Sequence, residues 1–441
     1  MRILIVGSGA REHAFARAFA RASTPPRIFC CGTSNNPGIR ALAVEYWQGS
    51  IEVDNVVRLA QDWQVNLAII GPEAPLEEGL VDALERVGIS TVGPKKALAQ
   101  LETSKRFTRE LLEKYQIDGS PRYRAFSTTD GMTQFLLELG LDGYVIKADG
   151  LMGGKGVKVA GDHLHSVEQG LEFAAALIDQ GQAVVIEERL IGEEFSLLCF
   201  CDGVNLFPMP LVQDHKRAFV NDVGPNTGGM GSYSDANHSL PFLEPSDVEE
   251  ALAINRQVMT AVLKECGEPY RGILYGSFMA TGDGVKLIEY NARFGDPEAL
   301  NVLAILESDF LRLCQSLVSG CIKHEEVRFK PLATVCKYAV PYGYPDKPKK
   351  NIIIDISNLV DKEILYFGAV DDVDGRLHAQ GSRALAVVGV AATIEEAERI
   401  AEYEINLIGG ELFHREDIGT RQLVKRRIQV MKKLRARSAV F

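Results

Sequence analysis

The 441-residue chain, 46% apolar and 24% charged, has the composition of an ordinary globular protein and the length of about three domains. A net charge of −11 argues against a general nucleic-acid binder, and no apolar run is long enough to span a bilayer. The eight cysteines include no Cys-x-x-Cys and no paired framework, so free thiols of a cytoplasmic protein are expected and a zinc site is not.

Residues 1–7 hold too short an apolar run for a secretory signal and pass straight into a strand. Strand patterns at 3–6, 27–31, 67–70 and 90–92 alternate with helix patterns at 11–22, 56–64 and 76–87. This βαβ alternation implies a parallel sheet with helices on both faces. A helical region covers 96–115. Short strands and one helix near 167–178 follow, then a strand-rich stretch, a long helix at 246–266, a hairpin, and a helix from 297. A last module carries strands near 334–339, 352–356 and 384–389 and a helix at 394–407. From 421 to 441 there are eight Lys/Arg and no acid, with Leu423, Val424, Ile428, Met431 and Leu434 at roughly helical spacing. An amphipathic helix packed on its own domain is the default reading, with a polyanion-binding or oligomer-forming segment as the alternative. His163 and His165 lie in a polar turn without an obvious third metal ligand.

Four segments carry chemistry. Gly7-Ser8-Gly9-Ala10-Arg11-Glu12 follows a strand and opens a helix, as a dinucleotide-binding turn does. Glu12 replaces the third glycine, and no acid closes the second strand at Cys30-Cys31-Gly32, so nicotinamide binding is disfavoured. A substrate phosphate at the helix N-terminus, or a structural turn, remains. In Val145–Val157 an apolar strand ends at Lys147, and Gly150, Gly153, Gly154, Lys155 and Gly156 follow. Glycines let backbone N–H groups crowd an anion and lysines supply charge, so the segment reads as a hairpin over a nucleotide's phosphates or as an ordinary glycine-rich turn. It is not a Walker A loop.

The strand at 184–187 leads into Glu187-Glu188-Arg189-Leu190, where backbone groups can meet a base edge; Glu194 could then accept from ribose hydroxyls. Gln213-Asp214-His215-Lys216-Arg217 precedes Gly224-Pro225-Asn226-Thr227-Gly228-Gly229-Met230-Gly231, read as a second anion pocket. On the strand ending Glu289-Tyr290-Asn291, Glu289 and Asn291 share a face as hard oxygen ligands suited to Mg²⁺, and Arg293 continues that face toward a phosphate.

Taken together, these segments, with Gly71-Pro72-Glu73-Ala74-Pro75-Leu76 and residues 291–298, resemble the ATP-grasp superfamily and, within it, the glycinamide ribonucleotide synthetase (phosphoribosylamine–glycine ligase) family. The 213–217 cluster and the 224–231 loop are specific to that family. The resemblance implies an N-terminal parallel α/β domain at 1–102, an ATP-grasp domain at 103–320 with a mobile lid at about 121–190, and a small α+β domain at 325–441 with the basic tail. It implies ligation of glycine to 5-phospho-β-D-ribosylamine, with ATP as substrate, Mg²⁺ or Mn²⁺ as cofactor and glycyl phosphate as intermediate. The implied protein is a monomer or weak homodimer in the cytoplasm.

By the same resemblance, the ATP contacts are Lys105, Lys147, Gly153, Gly154, Lys155, Gly156, Glu187, Glu188, Leu190 and Glu194, and the metal ligands are Glu289 and Asn291. The glycine and ribosylamine pocket draws on Gly9, Arg11, Glu12, Asp214, His215, Lys216, Asn226, Thr227, Gly228, Gly229, Gly231, Arg293 and Asp296. Arg293, Asp214 and Lys155 would act in catalysis. An acyl phosphate hydrolyses readily, which gives a closing lid a purpose. Two features depart from the pattern. Ser277 stands where many ATP-grasp enzymes place another metal-binding carboxylate, and the resemblance does not explain the basic tail. Another ATP-grasp ligase and a nicotinamide-dependent oxidoreductase are the competing readings.

Overall fold

The computed structural model describes residues 1–152 and 156–438. The N-terminal sheet is parallel throughout, in the order Ala43–Gln48, Arg27–Gly32, Arg2–Val6, Leu67–Ile70, Ser90–Val92. The strand order reverses at Arg2–Val6, so the turn at Gly7–Gly9 and the turn at Gly71-Pro72 leave adjacent carboxyl ends at the switch point, where α/β sheets bind ligands. The expected helix at 76–87 is two helices, Ala74–Glu78 and Leu80–Arg86, because Gly79 adopts a left-handed φ of 86° and ends the first. The helix Pro37–Leu42 and the strand Ala43–Gln48 went unrecognised; the strand is largely exposed along the sheet edge and lacks an apolar run.

Two four-stranded sheets follow. The first orders Tyr123–Phe126, Val184–Glu188, Tyr144–Ala148, Val157–Val159, all antiparallel. With the helices Met132–Leu139 and Val167–Asp179 it encloses its own apolar core, including Phe135, Tyr144, Ile146 and Ile186. The second orders Leu206–Pro208, Glu193–Asp202, Arg271–Thr281, Gly284–Asn291. The helix Pro245–Cys266 packs on it through Ala251, Ile254, Val258 and Val262. The core of the first sheet is separate from the one beneath the second sheet.

The C-terminal module is not self-contained. Its sheet runs Gln213–Asp214, Gly231–Ser234, Ala333–Pro341, Leu385–Ala391, Leu365–Phe367, so its first two strands come from the central part of the chain. The helix Ile394–Ile405 covers it. The short strands at 365–367, 370–373 and 376–379 were not anticipated, having three or four residues each. The tail forms the helix Arg421–Ser438. It lies against Arg271–Thr281 and Glu193–Asp202 of the second sheet, and not on the C-terminal module alone.

Lys337, fully buried in Ala333–Pro341, donates to Glu398 at 2.7 Å and Glu402 at 2.5 Å, and to the Glu416 carbonyl at 2.8 Å. Removing one partner of a buried ion pair leaves the other uncompensated. Lys337→Met is therefore expected to cost about 3–5 kcal/mol. Urea unfolding followed by circular dichroism checks this, and a loss within about 1 kcal/mol would show that the glutamates find water instead.

Candidate active site

The three sheets and the C-terminal module meet around one cleft of about 860 Å³. Lys105, Lys147, Gly156, Glu187, Glu188, Leu190 and Glu194 line it, as do Arg11, Asp214, His215, Lys216, Asn226, Thr227, Gly228, Glu289, Asn291, Arg293 and Asp296. Sequence positions spread over nearly 300 residues are thus brought together. Gly153, Gly154 and Lys155 lie outside the described residues.

At the lysine-rich end the organising group is Glu187. Arg109 holds its carboxylate with both forks, at 2.7 and 3.0 Å, and the Lys147 ammonium is 2.7 Å from Oε2. Burial opposes ionisation, but Arg109 and Lys147 outweigh it and hold the carboxyl at about 2. Between Ser277 and Phe278 the ladder to Gly284–Asn291 shifts register, leaving Ile288 as a bulged, unpaired residue. Its free carbonyl accepts from Arg109 Nη2 at 2.8 Å and Lys147 Nζ at 3.0 Å. Lys147 thereby uses two of its three donors and keeps one. The Glu187 carboxylate is committed to these cations, and its backbone stands in the sheet between Tyr123 and Val145, near the end of the strand. Glu188 likewise caps the Arg122 N–H at 2.9 Å. Lys105 reaches the Gly150 carbonyl at 2.9 Å. Arg109 escaped the sequence reading because it sits on the buried side of an amphipathic helix, where its charge looks out of place.

The bulge also turns Glu289 into the cleft. Burial pushes its carboxyl up, but Lys216, Lys147 and Lys105 together hold it below the ordinary value, so it is ionised. Glu289 and Asn291 are two hard oxygen donors at one end of the cleft, with Ser277 directly opposite Glu289 in the ladder. Among the described residues no cluster of three or more His, Cys, Asp or Glu side chains forms a metal cage. The donor set fits a divalent cation that takes its remaining ligands from phosphate oxygens and water. The ammonium of Lys216, which the sequence assigns to the ribosylamine pocket, lies 3.7 Å from Glu194 and 3.9 Å from Glu289.

At the other end, Arg293 spans Glu102 at 2.9 Å and Glu73 at 3.5 Å, and its Nε is buried without a partner. Asp214 accepts from the His215 N–H at 2.7 Å; burial, with Glu298 nearby, raises its carboxyl well above the usual range. The loop after it is locked by Thr227, whose N–H and hydroxyl both donate to the Lys216 carbonyl at 2.7 and 2.8 Å. Arg383 of the C-terminal module, unremarked in the sequence, donates from Nη1 to the carbonyls of Gly228 and Asp296 at 2.8 and 2.7 Å, and its Nη2 lies 3.3 Å from the Asp296 carboxylate. Nothing around Ser382 and Arg383 signals such a role; only the fold brings that turn to the loop.

Several assignments are corrected. Glu12 is 2% exposed and accepts from the Gly9 N–H at 2.6 Å, while Arg11 Nε donates to its other oxygen at 2.6 Å. A Cβ on Gly71 would lie 1.8 Å from Glu12 Oε1, so the carboxylate fills the seat between the two turns. Gly9 and Glu12 thus close the turn against each other, and the carboxylate fills the space where a dinucleotide pyrophosphate would sit. Arg11 does face the cleft, with Nη1 on the Phe294 carbonyl at 3.1 Å. His215 is 2% exposed with both ring nitrogens unpartnered, and burial, with Arg427 and Arg415 nearby, lowers it to about 3. It packs as a neutral ring. Gly231 pairs with Lys337 in the sheet, and Asp296 is held by Tyr338 at 2.5 Å and by Arg383.

Family models of phosphoribosylglycinamide synthetase match the chain in three parts: the N domain at 1–102, the ATP-grasp (A) domain at 103–299 and the C domain at 334–421. The phosphoribosylamine–glycine ligase of Methanocella arvoryzae is 44% identical over 438 residues, covering 99% of this chain and 100% of that protein. That of Methanothermobacter thermautotrophicus is 47% identical over 443 residues, with 99% and 100% covered. The crystal structure of the Thermotoga maritima phosphoribosylamine–glycine ligase superposes with a TM-score of 0.81 at 29% identity, over 95% of this chain and 100% of that one. A Campylobacter jejuni biotin carboxylase, 12% identical with a TM-score of 0.72, shares the fold. The chain belongs to the phosphoribosylglycinamide synthetase family.

Proposed function

We propose that this chain joins glycine to 5-phospho-β-D-ribosylamine, with ATP consumed to ADP and phosphate, and releases glycinamide ribonucleotide. One observation carries the reading: a single cleft holds a lysine-rich end around Glu289 and Asn291, and an Arg293–Asp214 end walled by the 226–228 loop. Full-length similarity to ligases of this name supports it.

Lys105, Lys147 and Lys216 would neutralise the ATP phosphates, and Leu190 and Glu194 would flank its base and ribose. Glu289 and Asn291 would hold Mg²⁺ or Mn²⁺, which supplies charge neutralisation at the transferring phosphoryl group. Arg293, with its unpartnered Nε, is placed for the carboxylate of glycine or its acyl phosphate. Glycine's carboxylate takes the γ-phosphoryl group, and the ribosylamine nitrogen displaces phosphate from the acyl carbon to form the amide. Asp214, its carboxyl raised by burial, sits where amine protons can be held. No side-chain nucleophile is needed. Lys155 and its flanking glycines would belong to the lid. Six of the eight free cysteines are buried, which suits a reducing cytoplasm. The expectation of a monomer or weak homodimer stands as part of this proposal, as do the three domain ranges.

Product formation is expected only when ATP, glycine and freshly prepared phosphoribosylamine are present together, with mass spectrometry as the readout. Absence of product under every Mg²⁺ or Mn²⁺ condition would refute the reading. Glu289→Ala should lose at least ~10²-fold in kcat, the order of one lost transition-state electrostatic contact, while the protein stays folded. Near-normal turnover with unchanged metal dependence would remove Glu289 from the metal site. The lid should close on nucleotide, so amide exchange in Tyr144–Ala148 and Val157–Val159 should slow when ATP and Mg²⁺ are added; equal protection would reject closure.

A further inference from the structure

The basic tail does more than pack. The helix Arg421–Ser438 sends one guanidinium into the cleft wall, and most of that helix lies beyond the residues matched by the family models. Arg427 Nη1 lies 3.2 Å from Glu193, and Nη2 donates to Asp222 at 2.7 Å; its side chain is 15% exposed. Glu193 directly precedes Glu194, and Gln213 donates to the Glu194 carbonyl at 3.0 Å. Asp222 forms the tip of the hairpin Arg217–Phe219/Val223–Asn226, whose far strand runs into the 226–228 loop.

That tip needs support. Asn221 and Asp222 both take left-handed φ values, 65° and 58°, a costly conformation for non-glycine residues. Asp222 is gripped by Arg427, by Arg426 at 2.6 Å and by Arg415 at 3.0 Å. The Asn221 N–H donates to Asp417 at 3.0 Å. Arg217, at the hairpin's base, pairs with Asp162 of the lid. Of the three arginines on Asp222, Arg427 is the one that also reaches the Glu193 strand end. The other tail cations behave differently. Arg435 pairs with Asp247 and Glu244, away from the cleft, and Lys432 and Lys433 are exposed.

We propose that Arg427 is a positioning residue: by clamping Glu193 and Asp222 it sets the distance between the nucleotide edge of the cleft and the loop that walls the amine-substrate end. The inference rests on the ligase reading for its substrates. It does not rest on that reading for its geometry.

The test uses the full chain and the variants Arg427→Ala, Arg427→Lys and Lys432→Ala/Lys433→Ala. In steady-state kinetics, Arg427→Ala should raise the KM for phosphoribosylamine roughly tenfold or more while kcat changes less, the pattern of lost binding geometry. Arg427→Lys, which keeps the charge but not the two-armed reach, should recover part of this, and the double lysine variant should behave as the parent does. Amide exchange over 217–228 should quicken in Arg427→Ala. If the parent protein makes no product, the ligase reading fails, and the exchange measurement decides the clamp by itself. Unaltered exchange over 217–228, or a wild-type KM in an active parent background, overturns the proposal. If Arg427→Ala does not fold, the lysine variant carries the same comparison, and wild-type KM and exchange in it would mean that the two-armed contact has no positioning role.

Discussion

The lysine-rich end of the cleft depends on one buried carboxylate. The Glu187 carboxylate is buried and ionised, so it demands compensation, and it obtains it from the helix Lys105–Lys114 (Arg109) and from the strand Tyr144–Ala148 (Lys147). An unpaired charge in that position would cost several kcal/mol. The pairing therefore fixes where Lys147 points, and the carbonyl of the bulged Ile288 fixes it a second time. The same bulge orients Glu289. A register irregularity of one residue thus places both the Lys147 ammonium and the Glu289 carboxylate in the cleft. Because Arg109 and Glu187 also join core to lid, the contact that orients the site lies next to the line along which the lid would turn.

The opposite end is braced by arginines from the last third of the chain. Arg383 holds the backbone carbonyls of the loop at Gly228 and Asp296, and Arg415, Arg426 and Arg427 hold the hairpin leading into it. These guanidiniums meet carbonyls and carboxylates that a loop of such conformation would otherwise leave without protein partners. Arginine suits this role because its fork reaches two acceptors at once, whereas a lysine offers a single point charge. Lysines and arginines from every part of the chain gather in the cleft, each beside acids that line it too.

Much of this was legible in the sequence wherever chemistry and local pattern coincide. Lys147 with Gly156, the Glu-x-Asn strand and the Gln-Asp-His-Lys-Arg cluster all line the cleft. What could not be read was commitment. A sequence shows that Glu12 and Glu187 carry charge; only packing shows that the Gly9 N–H, Arg109 and Lys147 have already claimed it. His215 is different: its ring nitrogens have no partner, and burial, with Arg427 and Arg415 nearby, keeps the ring neutral. Arg109, Arg383 and Arg427 were invisible because their partners lie 78, 155 and more than 200 positions away in the chain. Short edge strands were missed because three residues carry no periodicity.

The sharing of strands between modules has a bearing on synthesis. Gly231–Ser234 finds its ladder partner in Ala333–Pro341, about a hundred residues further on, and the cleft wall is completed by the helix at 421–438. Contacts this distant in sequence form slowly, since the intervening chain must be ordered before they are rewarded. On the ribosome, the N-terminal sheet can close as soon as its fifth strand emerges, but the substrate loop has nothing to lean on until the last residues are made. A nascent chain therefore passes through a stage with a finished first domain and an open, unpaired central strand, the kind of edge that chaperones shield from aggregation.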